Sequence, residues 1–168
     1  MAARLGKERV PAILLTDLIL TRPPPEFIKH LQMTQNKDTW YEAQASLIKG
    51  WLNNTTNKNV LDHFHNDVGA YGFENWAHFC WLVEKNYERW NSPMERLETI
   101  NDHPLVRHVF SHPRDEAYFA AHEEFARKHP EWFSFARLNG ESHFPVIELP
   151  EAVSLELSDL VKQVTSKQ

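Results

Sequence analysis

The chain has 168 residues, of which 42% are hydrophobic and 24% are charged, and its formal net charge is −5. This length and composition are typical of one globular domain and exclude a disordered chain. Residues 1–58 carry a formal charge of +3 and residues 59–168 a formal charge of −8, so a basic surface that binds nucleic acid directly is not expected.

The amino-terminal segment contains the longest apolar run, residues 12–20, which Asp17 interrupts. A membrane span needs roughly 20 apolar residues, so no transmembrane segment is predicted. The basic opening Met-Ala-Ala-Arg-Leu-Gly-Lys-Glu-Arg leaves an organellar targeting signal open. The following Pro-Pro-Pro at 23–25 favours a stiff connector. We therefore divide the chain into an N-terminal arm, 1–22, and a single helical domain, 23–168.

Three helices are predicted before residue 70. Pro25 suits the first position of a helix that continues to residue 33. Thr39 and Glu42 have the spacing of a capping box and start an amphipathic helix that ends near Asn53. A polar Asn/Thr loop then separates it from a short helix over residues 60–67.

Residues 73–90 carry three of the six tryptophans and predict the central helix. Its apolar residues recur every three or four positions, and Phe79 and Leu82 widen that stripe to most of the circumference. The half around Cys80 is expected to be buried, and the half from Glu84 onward to emerge toward solvent. The predicted fold class is therefore all-α, an irregular multi-helix bundle around this aromatic helix.

The second half of the chain is interrupted by three His-Pro pairs. A residue before proline leaves the α region and proline suits a first helical turn, so each pair is expected to end one helix and begin the next. This predicts helices over 104–111, 113–128 and 130–137, after a short helix capped by Ser92. Residues 143–149 are predicted to be extended, and Pro150 to begin a last helix.

Ten histidines raise the question of a metal site. His108 and His112 are four residues apart, which can place two imidazoles on one metal, but Pro113 pulls His112 out of helical geometry. His122 begins a zinc-protease-like sequence whose second histidine is replaced by Ala126. We predict no metal site and no cofactor, and retain His108, His112 and His122 as metal-ligand candidates.

Catalytic motifs are also missing from the sequence. Cys80 lies in the most apolar stretch, where burial suppresses thiol reactivity. Five glycines form neither a phosphate-binding loop nor a nucleophile elbow. No catalytic residue is predicted.

The aromatic content favours a protein partner, because Trp and Tyr are enriched at interface cores. The candidate partner-binding residues are Trp81, Trp90, Trp132, Leu14, Leu18, Leu157 and Val161. We predict a non-catalytic interaction or structural protein, an accessory subunit of a larger assembly. The alternatives are a helical enzyme that binds a metal or small ligand through histidines, and an acidic inhibitor or regulator of a nucleic-acid-binding protein. A single cysteine favours an intracellular, reducing compartment, either cytoplasm or organelle matrix.

Overall fold

The computed structural model describes residues 5–16 and 18–166, which divide into two compact units. The sheet unit comprises Met1–Leu18 and Leu97–Gln168, and the helical unit comprises Ile19–Arg96. Parts of the predicted N-terminal arm, residues 1–4 and 17, and the last two residues of the tail lie outside the described residues. The predicted boundary between an arm and one domain stays a prediction.

Three parallel strands form the sheet unit's centre, in the order β1-β2-β3. They are β1 (Ala12–Thr16), β2 (Leu105–Phe110) and β3 (Phe133–Arg137). Val106 of β2 lies opposite Ile13 of β1 and Phe133 of β3. The central strand β2 is rich in Val, Phe and Leu, which is typical of a parallel strand covered on both faces.

Helices cover both faces of this sheet. Arg107 of β2 donates to Glu156 of α8 (Pro150–Thr165) at 2.9 Å, while its neighbour His108 contacts His122 of α6 (Glu116–Lys128). Successive strand residues point to opposite faces, so α8 and α6 lie on opposite sides of β2. Asp115 caps α6 by accepting a hydrogen bond from the Tyr118 amide at 2.8 Å.

The helical unit contains α1 (Pro25–Met33), α2 (Trp40–Leu52), α3 (Lys58–His63), a π-helical turn (Phe64–Val68), α4 (Phe73–Trp90) and α5 (Pro93–Glu98). Its core is built from Leu31, Leu47, Trp76 and Cys80. Trp51 stacks on Trp76 with ring centroids 6.0 Å apart. In the described ranges of the chain, no helix is both long enough and apolar enough to cross a membrane.

The all-α prediction is wrong, because the chain contains a three-stranded parallel sheet. The predicted helices over 104–111 and 130–137 are β2 and β3, and the apolar run of the predicted arm contains β1. Each strand hydrogen-bonds a neighbouring strand that is distant in sequence. This pairing outweighs the local preference for a helix that begins at the proline of a His-Pro pair. The segment predicted to be extended near 143–149 contains a short helix, α7 (Pro145–Glu148).

The central helix predicted over 73–90 is confirmed as α4. Its predicted faces need correction: Phe79 and Leu82 are exposed, while Glu84 is buried. Glu84 is tolerated there because Gln32 and Gln35 donate to its two carboxylate oxygens at 2.7 and 2.8 Å. The helix is therefore amphipathic rather than apolar on most sides.

Candidate functional site

The segments that follow β2 and β3 lie at the carboxyl edge of the sheet. Ser111 and His112 come directly after β2, and residues 138–144, here called the His143 loop, follow β3. In sheets of parallel strands, ligands bind at this edge. Ser111 and His143 are both buried, with His143 only 9% exposed. The carboxyl edge is therefore the candidate site of the sheet unit.

Glu148 of α7 holds the middle of the His143 loop. Its Oε1 accepts a hydrogen bond from the Glu141 amide at 2.6 Å, and its Oε2 accepts bonds from the Ser142 amide at 2.8 Å and the Ser142 hydroxyl at 2.6 Å. Burial acts to raise the pKa of Glu148, but these hydrogen bonds and nearby His112 outweigh it and hold that pKa below its usual value. Glu148 is therefore ionised at neutral pH.

Gly140 lies where the loop passes closest to β2. A Cβ atom at this position would lie 2.6 Å from Ser111 Oγ and 3.0 Å from Glu148 Oε2. Neither distance is normal for carbon, so only glycine fits between these side chains without displacement. Ser111 Oγ itself has no hydrogen-bond partner among residues 5–16 and 18–166, which leaves a buried hydroxyl at the carboxyl edge.

Arg114 and His112 hold the beginning of the same loop. Arg114 Nη2 donates to Asn139 Oδ1 at 3.1 Å and also to the Gly140 carbonyl. His112 hydrogen-bonds the Gly140 backbone, and burial followed by the charge of Arg114 lowers its pKa. His112 is therefore neutral at pH 7.

Two buried imidazoles lie between β2 and α6. His122 Nδ1 donates to the Tyr118 carbonyl at 2.8 Å, so His122 Nε2 of the neutral ring accepts the proton of His108 Nδ1, 2.9 Å away. Burial first, and then His122, lowers the pKa of His108 to about 3. His143 is close enough to lower this pKa further. Burial also lowers the pKa of His122. The pair is neutral, and its rings fill the interior beside Phe110.

The three metal-ligand candidates have different surroundings. His108 and His122 bond to each other, and His112 bonds the His143 loop. Within the described part of the chain, no group of three or more His, Cys, Asp or Glu is arranged to hold a metal ion. The prediction of no metal site, with these three histidines as the candidate ligands, is not tested by these contacts.

The partner-binding candidates are spread over both units. In the helical unit, Trp81 is 45% exposed and stacks on His78, whereas Trp90 is half-buried under two arginines. In the sheet unit, Trp132 stacks on His103 at 4.0 Å. The remaining candidates comprise half-buried Leu14 and exposed Leu18, Leu157 and Val161. Their role in partner binding also stays a prediction.

The helical unit carries a separate open groove of about 560 Å³. Apolar side chains of α2 and α3 line it, together with Gln44, whose buried Nε2 has no partner in the described part of the chain. The groove has the size typical of a small-molecule site. Polar side chains also line it, among them Lys49, Asn54 and His65, so its surface is mixed apolar and polar.

The sequence analysis missed His143, Glu148, Ser111 and Gly140. The available signal was the alternating segment Phe-Ser-Phe-Ala-Arg at 133–137, a strand pattern, followed by the turn residues Asn139 and Gly140. A histidine soon after such a strand lies where α/β proteins place functional groups. The His-Pro interpretation of residue 130 as a helix start concealed this signal.

Comparison with known proteins gives several close relatives. The chain is 46% identical over 161 residues to the 2-heptyl-3-hydroxy-4(1H)-quinolone dioxygenase of Mycobacteroides abscessus, a match that covers 96% of this chain and 60% of that protein. It is 30% identical over 159 residues to the 1H-3-hydroxy-4-oxoquinoline 2,4-dioxygenase of Pseudomonas putida, covering 95% of this chain and 60% of the relative. No family model matches.

The fold agrees with these relatives. A solved structure of an AqdC variant in complex with its substrate, described for ring cleavage of the Pseudomonas quinolone signal, superimposes with a TM-score of 0.93 at 45% identity. The match covers 96% of this chain and 60% of that one. The chain thus spans about 60% of the length of the relatives it matches.

These relatives contradict the function predicted from the sequence. They are named as dioxygenases, so the prediction of a non-catalytic accessory or structural protein is wrong, and so is the alternative of an acidic regulator. The other alternative did name an enzyme, but on an all-helical scaffold that the parallel sheet rules out. The lack of a recognisable catalytic motif was misleading, because the residues of the candidate site come singly from separate loops and not from one contiguous motif.

Proposed function

We propose that the protein is a ring-cleaving dioxygenase of 3-hydroxy-4-quinolones, with His143 as its general base. The observation that carries the proposal is a buried histidine held at the carboxyl edge of a parallel sheet, in a chain 46% identical over 96% of its length to a named quinolone dioxygenase. Sites at this edge commonly bind small molecules.

The substrate class gives His143 a chemical task. A 3-hydroxy-4-quinolone has a hydroxyl group beside a ring carbonyl, and removing the hydroxyl proton leaves an electron-rich oxyanion conjugated with that carbonyl. A positioned imidazole is the side chain most often used to take such a proton, a contribution of about 10²–10⁴-fold in rate. The deprotonated ring is then the form that reacts with O2.

Two further polar side chains lie at this edge. The Ser111 hydroxyl, which has no partner in the described ranges, is available to donate a hydrogen bond. His112 is neutral because burial and Arg114 lower its pKa, and its hydrogen bond to the Gly140 backbone holds it beside this edge. Donors aimed at a developing negative charge in a dry site lower the barrier more than they would in water.

The relatives differ in the substituent at position 2 of the substrate ring. One relative is named for a 2-heptyl substrate and the other for a quinoline without an alkyl chain. The comparison of a 2-heptyl substrate with an unsubstituted one is therefore part of the test.

Oxygen uptake tests the activity directly. Purified protein is mixed with air-saturated buffer and either 2-heptyl-3-hydroxy-4(1H)-quinolone or 1H-3-hydroxy-4-oxoquinoline, and O2 consumption and quinolone absorbance are recorded together. We expect equal molar loss of O2 and quinolone, and two labelled oxygen atoms in the cleaved products when ¹⁸O2 is supplied. Protein that consumes neither substrate would contradict the proposal.

A matched pair of histidine variants tests the role of His143. His143→Gln should lower kcat by at least about 100-fold, because the proton acceptor is lost. His129→Gln is the control, since His129 precedes β3 and lies at the amino edge, where it bonds Glu98. If both variants lose activity equally, His143 has no special role.

We also propose an intracellular, reducing compartment, which the single, buried and unpaired Cys80 supports. Association with a protein partner remains a separate proposal based on Trp81 and the exposed apolar residues of α8.

A further inference from the structure

We propose that Glu148 is the positioning residue of the reaction: its carboxylate fixes the backbone on which His143 stands. This inference rests on the proposed role of His143. This role of Glu148 requires neither proton transfer nor contact with the substrate. It acts by holding the His143 loop in one conformation.

The hydrogen bonds of Glu148 reach the residues immediately before His143. One carboxylate accepts three donors from two consecutive residues, the amides of Glu141 and Ser142 and the hydroxyl of Ser142. A carboxylate only accepts hydrogen bonds, so all three donors are satisfied at once. Bonds to an ionised acceptor are roughly twice as strong as neutral ones.

The same network continues on the other side of His143. Ser142 Oγ, which donates to Glu148, also accepts a hydrogen bond from the Phe144 amide at 3.2 Å. The Glu148 amide in turn donates to the Phe144 carbonyl at 3.0 Å. His143 therefore lies between two residues that are tied, directly or through Ser142, to Glu148.

The backbone of Gly140 lies close to one side of the carboxylate. Gly140 lies against it so closely that an added Cβ would be 3.0 Å from Glu148 Oε2. Arg114 also holds the loop, by donating a hydrogen bond to the Gly140 carbonyl. The His143 loop is thus held by one anion and one cation, and Glu148 holds the half that contains His143.

Small displacements of a base are costly in catalysis. A misplacement of about 1 Å can lower a rate by about 100-fold while substrate binding is retained. Loss of the Glu148 carboxylate should therefore reduce kcat more than it changes KM. A general loss of folded protein would instead reduce the active fraction and leave the kcat of the remaining folded molecules unchanged.

The kinetic test compares Glu148→Ala and Glu148→Gln with Glu151→Gln. Glu151 is an exposed carboxylate in the first turn of α8 and serves as the matched control. We expect kcat per folded molecule to fall at least about tenfold in Glu148→Ala. The decrease should be smaller in Glu148→Gln, which retains one acceptor oxygen, and absent in Glu151→Gln. KM should stay within about threefold of the wild-type value in all three variants. Unchanged kcat in Glu148→Ala would overturn the proposal.

Hydrogen exchange gives a readout that does not depend on activity. In the wild-type protein the amides of Glu141, Ser142 and Phe144 should be protected, and Glu148→Ala should remove that protection while amides of β2 stay protected. Retained protection of these amides in Glu148→Ala would overturn the proposal even if activity fell.

The two measurements separate this inference from the proposed function. If the wild-type protein cleaves no quinolone, the proposed function fails, and hydrogen exchange together with the NMR titration of the His143 ring still decides whether Glu148 positions it. An altered His143 titration in Glu148→Ala but not in Glu151→Gln supports positioning. An identical titration in all three proteins rejects it.

Discussion

The sheet unit and the helical unit bury polar side chains in different ways. In the sheet unit, histidines and Ser111 lie in the interior beside the parallel strands, and Glu148 holds a loop. In the helical unit, the core is aliphatic and aromatic, and buried Glu84 is bonded by the two amides that approach it. Buried polar groups thus surround a candidate reaction site in one unit and join helices in the other.

Among the changes that test this comparison, the largest effect should come from Gly140→Ala, which breaks the arrangement of the sheet unit. The new Cβ would lie 2.6 Å from Ser111 Oγ, so the loop or the serine must move. We expect at least about tenfold lower quinolone turnover and a loss of about 1–3 kcal/mol in the free energy of unfolding. Urea unfolding and oxygen uptake measure both quantities.

Two controls sharpen that result. Gly50→Ala in α2 meets nothing within 4 Å and should stabilise the protein by about 0.5–1 kcal/mol, because alanine favours a helix interior. Adding Ser111→Ala to Gly140→Ala removes the Oγ atom and should restore part of the lost free energy of unfolding. A Gly140→Ala variant as active and stable as wild type would contradict the close packing at this site.

The buried histidine pair predicts a pH-dependent stability. His108, with a pKa of about 3, and His122 stay neutral in the folded protein, whereas unfolded histidine titrates near 6.5. The unfolded state therefore binds protons first as the pH falls, and stability decreases below about pH 6.5 by up to about 1.4 kcal/mol per pH unit for each group. Above about pH 5, the carboxylates contribute little to this slope.

Urea unfolding between pH 7 and pH 5 measures this slope. The double variant His108→Leu/His122→Leu should show a shallower decrease than wild type, because two buried histidines with lowered pKa values are removed. His122→Leu alone should cost about 1–3 kcal/mol at pH 7, since His108 Nδ1 loses its buried acceptor. Equal slopes in wild type and double variant would reject the buried neutral pair.

A smaller effect is expected for Glu84 in the helical unit. Glu84→Leu leaves the amides of Gln32 and Gln35 without their acceptor and should cost about 1–2 kcal/mol at pH 7. The hydrogen bonds from Gln35 and then Gln32 lower the pKa of Glu84, although burial acts to raise it. The Glu84 carboxylate therefore stabilises the fold above the unfolded pKa of about 4.3, and this stabilisation is lost as the pH falls below that value. Chemical unfolding at pH 7 and pH 3.5 checks both the cost and its sign.

The smallest effect should come from Trp81→Ser on the exposed face of α4. Trp81 is 45% exposed, and exposed positions usually change stability by less than about 0.5 kcal/mol. Thermal unfolding should therefore give nearly the wild-type Tm. A large decrease would show that the helical unit depends on this ring, and the assignment of Trp81 to a partner surface would lose its basis.

Several elements could be predicted because their signals are local. The limits of α4 follow from the Gly72 that precedes it and from the spacing of its aromatic residues, and Ser92 caps α5 as its sequence indicated, with its Oγ accepting the Glu95 amide at 3.2 Å. Pro150 begins α8 as expected. Each of these signals acts within one helical turn, so the sequence contains all of the interaction.

The strands and the candidate site could not be derived in this way. Val106 pairs with Phe133, 27 positions later, and with Ile13, 93 positions earlier, and nothing in a local window reveals either partner. His143 becomes a candidate base only because β3 ends at Arg137 and the loop returns to Ser111. Its importance depends on contacts between segments that are far apart in sequence.

The sequence by itself determined helices α1, α4, α5 and α8, because capping and periodicity act between near neighbours. Tertiary structure alone decided that residues 105–110 form the central strand, that Glu84 is buried, and that Glu148 bonds the loop beside His143. These outcomes depend on long-range pairing and on the satisfaction of buried polar groups, which no single segment can specify.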